Sequence, residues 1–275
     1  MSEEVKIHIE EKWVSEKNDW NSKEEYLLFL KQKKAYHIAK DYCGGKKVLD
    51  YSCGSGYGTS LISKKADIIF GVDIDEEVIA YCKMKYIGHN ITFQKIKKNN
   101  IIPFEDQYFD VIVSFQVIEH IPDVNKYLSE FKRVLKDNGS VFISTPNKKY
   151  RLLPFQKPWN LEHLREYDVN SFKKEIQSVF KNVNIMGISG TKEINEIEYN
   201  RVRQSPIRVY LISPMKKLLP DIIIKILLEM KKLFKKNITA NPNENDFLTK
   251  YNINDFTVAE NPDSCLDLLA ICKKD

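Results

Sequence analysis

Residues 48–60 read VLDYSCGSGYGTS, an apolar pair closed by Asp50 and followed by glycines at 54, 56 and 58. Val48-Leu49-Asp50 reads as a short buried strand and 61–65 as part of a helix, so the glycines fill the turn between them. Glycine there lets the backbone bend sharply and approach a ligand with no side chain in the way. A purely structural turn needs one such residue, or two. Three at alternate positions beside a strand-terminal carboxylate point to a ligand-binding loop.

Outward from this turn, strands and helices alternate. Strand patterns fall at 68–73, 91–93, 109–115 and 140–144, with a helix at 76–86 between the first two. Asp123 can cap a further helix on which Val124, Tyr127, Leu128, Phe131, Val134 and Leu135 share a face, and Gly139 stands where a left-handed C-terminal residue belongs. A helix at 23–42 precedes the turn and ends at Gly44-Gly45. Two later strand patterns, 183–188 and 266–272, flank a Lys-rich stretch carrying Pro206, Pro214, Pro220 and Pro242. Alternation of this kind predicts an α/β, Rossmann-like, seven-stranded and mostly parallel sheet with right-handed crossovers. The expected organisation is an N-terminal helical cap over 1–43, a core over 44–190, a basic helical insertion over 191–256, and the last core strand within 257–275.

The ligand follows from the acidic groups. A dinucleotide fingerprint would be G-x-G-x-x-G/A, and Gly54 and Gly56 fit it, but the third position is Thr59. A dinucleotide also places its pyrophosphate in the turn, where Asp50 would repel it. The same carboxylate suits the ammonium group of a methionine moiety, directly or through water. Asp73 ends the second strand, and its two oxygens match two ribose hydroxyls. Together these groups select S-adenosylmethionine (SAM) over a nicotinamide cofactor.

Composition narrows the setting. The N-terminal stretch MSEEVKIHIEEKW has no apolar signal region, and the longest apolar run, 222–230, is broken by Lys225 and Glu229, far short of the ~20 residues that span a bilayer. Cys43, Cys53, Cys82, Cys265 and Cys272 form no C-x-x-C pair, so reduced thiols and a cytoplasmic chain are expected. The net charge of +5 is uneven, because ten Lys and Arg between Arg201 and Lys236 face only Asp221 and Glu229. Residues 222–236, IIIKILLEMKKLFKK, read as an amphipathic helix that packs on the domain or a twin subunit, or touches an anionic membrane peripherally. Nucleic acid is not expected as a partner, because aromatic residues are not interleaved with the charge.

Four stretches, VLDYSCGSGYG, GVDID, FDVIVSFQVIEHIPD and FKRVLKDNGSVFISTPN, occur in the order and spacing of class I SAM-dependent methyltransferases. The chain resembles that family over 46–147. The resemblance implies that Asp50, Gly54 and Gly56 hold the methionine end, Asp73 the ribose and Ile74 the adenine face. Gln116 and Val117 would lie beside cofactor and substrate. Ser52 stands where the family usually has glycine, and 94–102 lacks the acid that commonly contacts the adenine amino group; Asn99, Asn100 or a backbone carbonyl would replace it.

Methyl transfer to a hydroxyl needs in-line alignment and removal of a proton. The candidate groups are Glu119 and His120, just after the fourth strand, and His163, in WNLEHLREY beside Trp159, Asn160, Arg165 and Tyr167. The Glu119-His120 pair resembles ubiquinone-pathway O-methyltransferases, in which an acid three residues earlier completes a proposed metal site. Here that position is Gln116, an amide that weakens a hard-cation site, so no metal ligands are assigned. STPN followed by HLREY resembles methyltransferases of bacterial glycan and surface-polysaccharide biosynthesis, which makes a sugar hydroxyl or other small-molecule acceptor the expected substrate. Asn147, Arg165 and Tyr167 suit such a ligand, or cap a helix and bridge loops.

Overall fold

The computed structural model describes residues 20, 22–97, 101–152, 158, 160, 162–203 and 246–275. Its helices are α1 (Lys23–Lys40), α2 (Tyr57–Ser63), α3 (Glu76–Lys85), α4 (Val124–Val134), α5 (Lys148–Arg151), α6 (Val169–Gln177), α7 (Lys192–Arg203) and α8 (Phe247–Lys250). The strands are β1 (Lys47–Tyr51), β2 (Ile68–Asp73), β3 (Ile91–Lys95), β4 (Phe109–Phe115), β5 (Leu135–Pro146), β6 (Asn182–Gly190), β7 (Phe256–Ala259) and β8 (Asp267–Lys273). They form one sheet in the order β3-β2-β1-β4-β5-β8-β6-β7. The first five strands are parallel, and β8 lies antiparallel between β5 and β6.

The expected α/β Rossmann-like fold is present, with eight strands rather than seven. The added strand is β7, which pairs antiparallel with the outer edge of β6 over Gly187–Gly190 and Phe256–Ala259. Its four residues, FTVA, are too short and too mixed to show a period-two signal. The region after 256 therefore contributes two strands. Of the insertion, α7 and α8 are described; residues 222–236 lie outside the described residues. Among those described, no helix is long and apolar enough to cross a membrane.

The sheet is buried on both faces because successive strand residues point to opposite sides. Leu49, Ile112, Val141 and Ile143 meet α4 and α6 on one face, while Val48, Val111, Val113 and Phe142 meet α1 on the other. On α4, Asp123 caps the first turn by accepting from the Lys126 amide at 3.0 Å, and Val124, Tyr127, Leu128, Phe131 and Val134 are all buried. The helix ends at Val134 and β5 starts at once. The left-handed residue after it is Asn138, with φ of 62°, and not Gly139. Gly139 lies within β5, where a Cβ would sit 2.7 Å from the Leu135 side chain.

Parallel order brings the C-terminal tips of β1, β2, β4 and β5 to one edge. Antiparallel β8 starts there, with Asp267 opposite Pro146. This edge is where ligands bind in open α/β sheets. As a test of the packing, Phe131→Ala should lower stability by about 3–5 kcal/mol, measured as a fall in the urea midpoint at unchanged slope.

Candidate cofactor and acceptor site

The bend after β1 owes its shape to backbone conformation and to two neighbouring elements. Ser52, Gly54 and Gly56 have φ of 60°, 51° and 77°. The left-handed Ser52 explains why glycine suits that position. Gly56 is also confined by space: a Cβ would sit 2.8 Å from Cys82 Sγ on α3. Gly58 has a different role from ligand approach. A Cβ there would meet the Tyr36 ring of α1 at 2.1 Å, so the third glycine admits an aromatic side chain of the protein itself.

That ring places a hydroxyl on Asp50. Tyr36 Oη donates to Asp50 Oδ1 at 3.1 Å, and Thr59 Oγ1 donates to Oδ2 at 2.6 Å. Asp50 is wholly enclosed. Burial pushes its pKa from 3.8 up to about 7, against the lowering effect of the two hydroxyls, and Asp73 adds a smaller upward push. Both Asp50 oxygens thus carry a hydroxyl partner, one from α1 and one from α2. Thr59, the residue that broke the dinucleotide fingerprint, is one of those partners.

Asp73 sits at the tip of β2. Its Oδ2 accepts the Gly54 amide at 3.1 Å and its Oδ1 the Asp75 amide at 3.0 Å. Burial raises its pKa, with backbone amides opposing. Beside it, Ile74 is 43% exposed, an apolar face next to a carboxylate. Asn99 and Asn100, the expected adenine partners, lie outside the described residues.

At the tip of β4 the chain turns through Gln116, whose φ of 59° is unusual for a side-chain-bearing residue. Its backbone amide donates to Ser144 O at 2.9 Å, and its Nε2 donates to Ser144 Oγ at 3.3 Å and Asp267 Oδ2 at 3.2 Å. Val117 follows, buried in the core. Asp267 also takes Lys31 of α1 at 2.7 Å, and Lys31 reaches Glu198 of α7 at 3.4 Å. Lys31 had no place in the sequence reading, yet it lies one turn from Leu27 and Ala35 on the buried stripe of α1, which is the signal that a cation there needs an internal partner.

The three candidate chemical residues come together. Glu119 and His120 lie on a short 3-10 turn (Ile118–His120), and residues 162–165 dock against it. Leu164 N donates to Glu119 O at 2.9 Å, His120 Nδ1 meets Glu162 O at 2.9 Å, and Arg165 Nη2 donates to Pro122 O at 3.0 Å. The two imidazoles meet edge to face with centroids 4.7 Å apart. Burial pushes the Glu119 pKa up to about 8, against a hydrogen bond from Thr145 Oγ1 at 3.0 Å.

His163 is buried. Burial lowers its pKa although Glu166 Oε1, 2.8 Å from Nδ1, acts the other way. Arg151 Nε donates to the same Glu166 oxygen at 3.1 Å. Of the neighbours expected to serve a ligand, Asn147 has a structural role: it is fully buried, caps α5 through the Lys149 amide at 3.1 Å and donates to Cys265 O at 2.8 Å. Tyr167 is buried against Phe172, and Trp159 lies outside the described residues. All five cysteines are free and buried.

Residues 49–143 match the family model described as Methyltransferase domain. The chain is 35% identical over 143 residues to a Mycolicibacterium smegmatis protein named "Probable S-adenosylmethionine-dependent methyltransferase", covering 52% of this chain and 54% of that one. It is 33% identical over 115 residues to the ubiquinone biosynthesis O-methyltransferase of Pasteurella multocida, covering 38% and 48%. The chain thus spans about half the length of the curated relatives it matches. Among solved structures, a SAM-dependent methyltransferase of Thermotoga maritima aligns with a TM-score of 0.56 and 13% identity over 98% of this chain and 99% of that one. The YcgJ protein of Bacillus subtilis aligns with a TM-score of 0.52 and 18% identity over 88% and 99%. The fold is that of the Rossmann-like methyltransferases, and SAM is the cofactor the relatives imply. The glycine bend, the Asp73 tip and exposed Ile74 offer a turn, a carboxylate and an apolar face that fit it.

Asp50 makes stability depend on pH in a defined direction. Its pKa is raised on folding, so between about 4 and 7 the folded chain holds a proton the unfolded chain has released, and stability falls as pH rises through that window. Unfolding free energies of the ligand-free protein, compared with Asp50→Asn across pH 4 to 8, should differ in slope within the window and run parallel above it.

Proposed function

We propose that this chain is a SAM-dependent methyltransferase acting on a hydroxyl oxygen of a small molecule. The reading is carried by one juxtaposition: a glycine bend tied to Asp73 lies on the same sheet edge as Glu119, His120 and His163. The ribose hydroxyls take Asp73, the adenine lies against Ile74, and the methionine end lies over Gly54 and Gly56. The sulfonium methyl then points along the edge toward the tips of β4 and β5.

In the reaction, the acceptor oxygen attacks the methyl carbon in line. The oxygen–carbon bond forms as the carbon–sulfur bond breaks, its electron pair goes to sulfur, and S-adenosylhomocysteine leaves. The acceptor's proton passes to the polar cluster. His163 suits that cluster because burial keeps its ring neutral and Glu166 fixes Nδ1, leaving Nε2 to face a ligand.

The ubiquinone biosynthesis relatives favour a small-molecule hydroxyl, and a saccharide hydroxyl is the narrower reading from the 144–168 segment. The test is incubation with methyl-labelled SAM and separate pools of phenolic quinone precursors, nucleotide sugars and oligosaccharides. Mass spectrometry should find one added methyl group in one pool; label released only as SAM breakdown from every pool would sink the reading.

Asp73→Ala should weaken SAM binding about 10- to 100-fold in calorimetry, in line with the loss of charge-assisted hydrogen bonds. His163→Ala should instead lower turnover about 100-fold or more while the SAM dissociation constant moves only a few-fold. Equal losses in both measurements would place His163 in the cofactor pocket.

A further inference from the structure

We propose that Glu119, His120 and His163 form a site for a divalent first-row transition metal of the zinc type. One ligand atom from each residue lies within 4.8 Å of the other two. Two imidazoles and one carboxylate select zinc, cobalt or nickel over magnesium and calcium, which seek all-oxygen shells.

The surrounding hydrogen bonds prepare all three side chains for this. His163 Nδ1 is engaged by Glu166 Oε1, and His120 Nδ1 by the Glu162 carbonyl, so each ring keeps Nε2 for a ligand. A carboxylate or carbonyl on the far nitrogen is how metal-bound histidines are held in a fixed tautomer and orientation. Arg151 anchors Glu166 in turn. Glu119 gives one oxygen, Oε2, to Thr145 and is nearly inaccessible, a desolvated carboxylate that a cation would balance. A zinc ion about 2 Å from each donor holds donors about 3–3.5 Å apart. Binding therefore draws the three side chains inward by torsion, and the hydrogen bonds between 119–122 and 162–165 already hold the two segments together.

Gln116 takes no part. It is committed to Ser144 and Asp267, and the third ligand comes instead from His163, beyond β5. Three protein ligands leave a coordination position for the acceptor's oxygen, where a metal would lower the hydroxyl's pKa so that its proton is released to water, His163 then serving as a ligand instead of a proton acceptor. That last step rests on the acceptor-site reading above; the metal site itself does not.

The experiment uses the full, tag-free chain stripped with chelator and titrated with Co²⁺, read by visible absorption, then with Zn²⁺ in competition and Mg²⁺ as a control. Wild type should bind Co²⁺ one to one with ligand-field bands that Zn²⁺ removes and Mg²⁺ does not. His163→Gln and the half-buried His120→Gln should each weaken binding about 100-fold, and Glu166→Gln about 10- to 100-fold. Thermal unfolding and SAM calorimetry on the same samples establish that each variant is folded. No bands in wild type, affinity unchanged from wild type in the two histidine variants, or displacement by Mg²⁺ would overturn the site. Methyl transfer that survives complete metal removal would overturn the metal's role while leaving the methyltransferase reading intact. Metal binding without methyl transfer to any pool would do the reverse.

Discussion

The Asp73 carboxylate bridges two amides, Gly54 on the bend and Asp75 at the start of α3, and this bridge fixes the shape of the edge between β1 and β2. β1 and β2 are parallel neighbours, so their tips emerge side by side. Side-by-side tips do not by themselves make a cleft, because a bend of bare glycines could fold either way. The hydrogen bond from Gly54 to Asp73 selects one way. It costs the protein a desolvated carboxylate, and two backbone donors offset that cost locally.

The same logic explains the N-terminal helix. Asp50 is enclosed, and an enclosed carboxylate without donors would be severely destabilising. Tyr36 and Thr59 supply the donors, and Tyr36 can reach Asp50 because Gly58 has no side chain. Farther along α1, Lys31 enters the core to meet Asp267, which in turn holds Gln116 in its left-handed turn. One helix thus secures both the cofactor bend and the tip of β4. It is part of the site's framework as well as a cover over it.

How much of this was legible depends on distance along the chain. The sheet, the glycine bend, Asp73 and the α4 face were readable because hydrophobic periods and turn residues are local signals. Tyr36–Asp50 and Lys31–Asp267 were not, since nothing local says which partner a buried polar group will find. The position of Lys31 between Leu27 and Ala35 shows only that some partner is needed. Gly139 misled for a related reason: a glycine after a helix reads as its terminator, yet Asn138 took the left-handed turn and the glycine served close packing in β5. Strand β7 escaped because four edge residues carry too little pattern.

The two halves of the site are therefore built by different physics. The cofactor half is assembled within a short span of chain, by a bend, a strand tip and one helix whose contacts follow from the order of the parallel strands. The acceptor half exists only because residues 162–165 return to the turn after β4 through three hydrogen bonds, bringing His163 to Glu119 and His120. A loop held by one backbone bond and two side-chain-to-carbonyl bonds can change its other side chains at little cost to the fold, whereas the bend cannot change without disturbing Asp50, Asp73 and α1 together. On the proposed reading, choice of acceptor is thereby separated from retention of the cofactor. His163 is the residue at which the separation is sharpest, since its position comes from the loop and its chemistry from Glu166 three residues on.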